Sequence, residues 1–159
     1  MRSYFLDTSA VVKLYVAEVG STAVRNIVRS AAVDPPSSRI FQCDLSLPET
    51  VSALLQIERS PTAARRGLSR AVLRGLLPRV RADFVAQSPM TVVAASDCMD
   101  VAAEIVERHR LRPADAIQLA AALRLKAAQP APELHFVSTD TEQCRAAEAE
   151  GLYVVRPDA

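Results

Sequence analysis

Short apolar stretches rich in β-branched and aromatic residues alternate with longer stretches of helical spacing along this chain, from "SYFL" near the start to "YVV" near the end. That alternation is the pattern of an α/β fold, a mainly parallel β-sheet flanked by α-helices in three layers, because parallel neighbours need a helical crossover between them. The apolar runs predict strands at 3–6, 39–43, 90–93, 134–138 and 153–155. Helices are predicted at 9–16, 22–31, 46–60, 97–108, 113–128 and 141–150, with a further one opening at Ser60 and Pro61. In that further helix Leu68, Val72, Leu76 and Val80 are expected to face the core, Arg66, Arg70 and Arg74 to lie opposite, and Pro78 to bend or divide it. At 159 residues the chain is long enough to bury a core unaided, and residues 1–159 are expected to form one domain.

Half the residues are apolar, yet no apolar run approaches membrane-spanning length. Asp7 interrupts what would have to be the apolar region of a secretion signal, so a cytoplasmic protein is expected. Cys43, Cys98 and Cys144 contain no C-x-x-C pair, and His109 and His135 lie far apart, so neither a zinc site nor a disulfide framework is predicted. Nineteen basic against eighteen acidic side chains leave a net charge of +1, which by itself selects no partner. Its distribution is more telling. Arginines 59, 65, 66, 70, 74, 79 and 81 follow one another without an acid between them, a local footprint for a polyanion or an ordinary solvated face.

The acids that carry chemistry are chosen by position. Asp7 follows the first predicted strand and Asp140 the strand "LHFVS", while Glu49 and Asp115 open helices in "SLPETVSALL" and "LRPADAIQLAAAL". Ligands of open parallel sheets bind at the carboxyl ends of strands, where the following helices begin, so these four acids are placed to share one cleft. Each has a structural explanation too. Asp7 can cap a helix, Ser46-x-x-Glu49 and Asp140-x-x-Gln143 fit capping boxes, and Asp115 follows a proline at a first helical position. Caps do not explain convergence, since two carboxylates about 4 Å apart repel by about 4 kcal/mol at an effective dielectric near 20. An all-oxygen acid cluster with only Lys13 and Arg112 nearby calls for a hard divalent ion, magnesium or manganese, and suits phosphodiester hydrolysis. The hydroxyls of Thr8, Ser9 and Thr139 stand beside these acids, where they can hold metal-bound water or simply cap helices.

The ordered blocks "FLDTSAVVKLYVAEVGS", "LPETVSALL", "LRPADAIQLAAAL" and "FVSTD" resemble those of PIN-domain proteins, and within them the VapC ribonuclease toxins of type II toxin-antitoxin systems. The resemblance implies a parallel sheet flanked by helices and a magnesium-dependent endoribonuclease. Carried over, Asp7 and Asp115 become the principal metal ligands, with Glu49 and Asp140 completing the catalytic pocket. It further implies an RNA substrate, a small antitoxin bound near the site, and a homodimer. Residues 59–87 match no block of that family.

Two other classes share some of these features. A receiver-like signalling domain also gathers acids and magnesium at the edge of a parallel sheet, but carries paired acids after its first strand and a lysine after a late one. This chain has a lone Asp7 and Asp140 at those places. A non-catalytic scaffold could use the same acids to hold a basic peptide.

Overall fold

The computed structural model describes residues 2–33, 38–59, 68–85, 89–128 and 133–159. Strands β1 (Arg2–Leu6), β2 (Ser38–Cys43), β3 (Met90–Val93), β4 (Leu134–Val137) and β5 (Tyr153–Val155) form one sheet in the order β3-β2-β1-β4-β5. Every neighbouring pair is parallel. The α/β architecture expected of the alternating pattern is therefore present, with β1 at the centre. All five carboxyl ends consequently lie along one edge.

Alternation along the strands sends successive side chains to opposite faces. On one face Phe5 sits between its register partners Phe41 and Phe136, and the Phe5 and Phe136 rings stack with centroids 5.8 Å apart. On the other face Tyr4, His135 and Tyr153 form a row across β1, β4 and β5. The phenylalanine face is covered by α5 (Met99–His109), α6 (Pro113–Ala128) and α7 (Thr141–Ala149), which contribute Ile105, Leu119, Ala146 and Ala147 to one buried cluster. Fully buried Ala120, Ala121 and Ala122 leave α6 no bulk that would hold it away from its neighbours.

Against the opposite face lie α1 (Thr8–Tyr15) and α2 (Ser21–Ala31), whose Ala10, Val11 and Val24 pack on Leu6, Ile40 and Val137. Beyond α1, helices α3 (Ser46–Arg59) and α4 (Arg70–Asp83) build a further apolar cluster from Leu54, Ile57, Leu73 and Val80 against Val12 and Val16. A 3-10 turn at Ala95–Cys98 precedes α5, where the sequence predicts a helix beginning at Asp97. Gly151 ends α7 as predicted, with φ of 75°, a conformation costly for any side chain, while Leu152 N–H donates to the Ala147 carbonyl. Among the described residues no helix is long and apolar enough to cross a membrane.

The arginine-rich helix differs from its expected form. Its predicted start at Ser60 and Pro61 lies outside the described residues; α4 opens at Arg70, capped by the Ser69 hydroxyl, and runs through Pro78 without dividing. Its core face is Leu73, Leu77 and Val80, whereas Val72 is 47% exposed. Leu68 precedes the helix and packs on the same cluster as expected. Within the helix a strict spacing of four rotates about 40° per step, so 72, 76 and 80 cannot share one narrow stripe, whereas alternating steps of four and three, as at 73, 77 and 80, can. Leu73→Ala is accordingly expected to cost about 2 to 4 kcal/mol and Val72→Ala less than about 0.5 kcal/mol, as read from urea unfolding midpoints. Equal losses would mean the face is misassigned.

Candidate functional site

Asp7 leaves β1 at the sheet's carboxyl edge and is 4% exposed. It caps α1, its Oδ1 accepting from Ala10 N–H at 2.9 Å and from the Ser9 hydroxyl at 2.8 Å. Its Oδ2 lies 2.8 Å from the Ser138 hydroxyl at the end of β4. Burial raises its pKa from 3.8 to about 6, partly offset by those hydrogen bonds and reinforced by the charge of Asp115.

The Ser138 proton is contested between two acceptors, so its bond to ionised Asp7 offsets burial only in part. The Ser138 hydroxyl accepts from Asp140 N–H at 3.0 Å and has one proton to give, yet it meets both Asp7 Oδ2 and Gln143 Oε1, the latter at 2.9 Å. Gln143 cannot turn its amide round without losing the bond from its Nε2 to the Asp115 carbonyl. All three groups are satisfied when Asp7 carries the proton, donates it to Ser138, and Ser138 donates to Gln143. Ionised Asp7 leaves one pair of oxygens facing each other without a hydrogen.

Asp115, on the first turn of α6, also has its carboxyl pKa raised, first by partial burial and then by the charges of Asp140, Glu49 and Glu142, against the opposing pull of Arg112. Asp115 thus lies within the field of each of the other predicted site acids. Asp140 is exposed and caps α7, its Oδ1 accepting from Gln143 N–H at 2.8 Å.

Glu49 stands on the first turn of α3, but its carboxylate does not serve the expected capping box. Instead Glu49 Oε2 accepts a short hydrogen bond from the Thr8 hydroxyl and lies 3.1 Å from Gln118 Nε2. Ser46, the expected cap, has its hydroxyl 2.8 Å from the same Gln118 nitrogen. Gln118 also donates to Thr8 Oγ1 at 2.9 Å, so one buried amide ties α6 to α1 and α3. Among the described residues the buried amide oxygen of Gln118 has no partner. The Ser9 hydroxyl accepts from Thr139 N–H at 2.9 Å, which makes Thr139 a backbone contact. Lys13 is buried in an ion pair with Glu18 at 2.9 Å, on the wall of the neighbouring cleft. Beside Thr8, Ser9 and Thr139 opens a cleft of about 530 Å³ with Val12, Ala53 and Ile57 on its apolar wall.

The donors are oxygens throughout, which suits a hard cation. Among the described residues, however, no three of His, Cys, Asp and Glu close into a ready-made metal cage. Magnesium seldom uses such cages: it keeps several waters and takes one or two carboxylates, a demand the Asp7–Asp115 region can meet. Cys43, Cys98 and Cys144 are free and buried, and burial pushes the Cys43 thiol up to about 12, which leaves it unreactive at neutral pH.

Residues 4–149 match the family described as PIN domain. The chain belongs to the PIN domain family. This PIN domain has the fold of solved structures at low sequence identity. A toxin-antitoxin complex from Klebsiella pneumoniae is 15% identical with a TM-score of 0.57, covering 97% of either chain. FitAcB from Neisseria gonorrhoeae is 12% identical with a TM-score of 0.57, again covering 97% of either chain. VapBC2 from Rickettsia felis, bound to a DNA fragment from its promoter, is 12% identical with a TM-score of 0.56, covering 96% of this PIN domain and 97% of that chain. No curated protein matches the sequence.

Sequence reasoning passes over Gln118 and Ser138 and gives Gln143 only a capping role. The available signal is spacing: Gln118 stands three residues after Asp115, and Gln143 three after Asp140, so each shares a helix face with a site acid of this PIN domain.

Because folded Asp7 holds its proton more tightly than the unfolded chain does, its stabilising contribution is complete below about pH 4 and is lost as pH rises through about 6. The loss amounts to on the order of 2 to 3 kcal/mol at pH 8. Asp7→Asn presents an N–H to Ser138 and restores the donor chain, so in EDTA at pH 8 it should be more stable than the parent, the gap shrinking towards pH 4. Urea titrations across that range test this; a pH-independent gap would refute the proton assignment.

Proposed function

We propose that this PIN domain, spanning residues 1–159, is a magnesium-dependent endoribonuclease, and that it is the toxin of a toxin-antitoxin pair. One observation supports the reading: in a PIN-family chain, the Asp115 carboxyl feels the charges of Asp140 and Glu49, and Asp7 at the carboxyl edge of the parallel sheet feels that of Asp115. Such a concentration of like charge is costly, and a hard divalent ion lowers the cost. In this reading Asp7 and Asp115 hold magnesium or manganese, with Glu49 and Asp140 completing the pocket.

A bound ion of this kind supplies Lewis-acid charge to the scissile phosphate and to the attacking water. The protein's own groups set the arrangement. Thr8 and Gln118 fix the Glu49 carboxylate, Ser9 and Ser138 fix Asp7, and the α7 cap holds Asp140 at the rim. The adjoining cleft offers room for RNA beside the reacting phosphate, with aliphatic walls in place of aromatic stacking surfaces. Hydrolysis breaks a backbone P–O bond, water giving its oxygen to phosphorus and a proton to the leaving oxygen. The toxin role, a bound antitoxin, a homodimer and a cytoplasmic location are proposed from the family resemblance, together with the likeness of fold to the toxin-antitoxin complexes.

The receiver reading is disfavoured by topology. Receiver-type sheets run β2-β1-β3-β4-β5, whereas here β3 flanks β2 at the far edge and β4 neighbours β1.

Purified protein should cleave RNA with added magnesium and stop in EDTA. Asp7→Asn or Asp115→Asn should lower the rate by at least about a hundredfold with the fold retained by circular dichroism. Cleavage that survives both substitutions would end the proposal. Gln118→Ala, which removes one of the two donors to Glu49 without removing a ligand, should cost about 10- to 100-fold and raise the magnesium concentration needed for half-maximal rate. An unchanged magnesium requirement would assign Gln118 to packing alone.

A further inference from the structure

A second concavity, about 290 Å³, lies where α1 ends, between α2, α4 and the start of β3. Met90, on its wall, opens β3, so this pocket is at the sheet edge opposite the carboxylates. It is about 12 Å from them along α1. Arg25 and Arg29 line it from α2 and Arg79 from α4, three arginines against one acid, Asp83. Asp83 is itself engaged, its Oδ2 accepting from the Tyr15 hydroxyl at 2.9 Å. Among the described residues Arg25, Arg29 and Arg79 make no ion pair.

Arg25 and Arg29 are one helical turn apart, a like-charge pair that destabilises α2, and Arg79 brings a third positive charge to the same hollow. Guanidinium is the group best shaped to grip phosphate oxygens in pairs. We propose that this pocket is a phosphate-binding site, separate from the carboxylate cluster and independent of metal. Arg79 belongs to the acid-free arginine run of the sequence, to which the catalytic reading gives no role. The phosphate can come from an RNA backbone, a reading that rests on the proposed nuclease activity, or from a free phosphate or mononucleotide.

The test is carried out in EDTA, where metal-dependent cleavage is absent and the carboxylates are the same in every protein compared. Binding of a fluorescently labelled single-stranded RNA is followed by anisotropy over a salt series, and binding of inorganic phosphate and of AMP by calorimetry. The probes are compared on the parent, on Arg25→Gln/Arg29→Gln and on Arg79→Gln. If RNA is the source, each variant binds RNA several-fold more weakly, and the slope of log affinity against log salt falls by about 0.7 for every RNA phosphate that is no longer neutralised. If a free phosphate is the source, phosphate or AMP binding is abolished while RNA binding holds. Unchanged binding of all three probes overturns the proposal. Arg79 is exposed, so its variant keeps the test decisive if the α2 pair fails to fold. Loss of RNA binding in these variants, alongside cleavage that resists Asp7→Asn and Asp115→Asn, would sink the nuclease reading and leave this one standing.

Discussion

A buried carboxylate at the end of the central strand governs how the rest of the edge is built. Asp7 has little access to water, so each of its oxygens must be met by a protein donor. Those donors come from α1 and from the end of β4, segments separated by about 130 positions in the chain. The same Ser138 hydroxyl reaches Gln143, and Gln143 reaches the Asp115 backbone, so satisfying one acid aligns β1, β4, α6 and α7. A polar cluster of this kind is poor at stabilising a fold and good at specifying one geometry, because any displacement strands a buried group. The raised Asp7 pKa is the thermodynamic mark of a site formed at the expense of stability.

The second half of the edge depends on how α6 is made. Its buried alanines let the helix pack closely, and on its first turns Asp115 and Gln118 stand one turn apart. Gln118 then does what neither acid can: it offers N–H groups to a carboxylate and two hydroxyls on facing helices. With the nitrogen end turned to Glu49, its oxygen is left unpaired, and the opposite orientation would set oxygen against carboxylate. Tolerating that orphan oxygen keeps Glu49 fixed without neutralising it.

Much of this is legible in the residues. Strand and helix order follows from apolar spacing, and the placing of Asp7 and Asp140 at strand-to-helix junctions follows from that order, because a parallel sheet puts all such junctions on one edge. The face of α4 is misleading in sequence because four-residue recurrence imitates a stripe over one or two turns and drifts off it over three. Glu49 reads as a cap because the local pattern fits one; its actual partner, Thr8, is 41 positions away and leaves no local trace. Gln118 is illegible for the same reason, a lone amide in an alanine-rich helix whose partners are 69, 72 and 110 positions distant.

Charge in this molecule is sorted along α1. At its amino end, where the helix dipole favours anions, stand Asp7 and the other acids; beyond its carboxyl end lie Arg25, Arg29 and Arg79. A nucleic acid strand is anionic along its whole length, so the acidic end alone would repel it and the arginine end alone would hold it nowhere near the acids. A divalent ion at the acids offsets part of that charge and gives a phosphate oxygen a positive partner there, and it leaves the arginine end untouched. Under the functions proposed, affinity and chemistry therefore reside in separate charge clusters, and each can be removed without the other. Under the same proposals a restraining partner would have two independent places to act, one at each cluster.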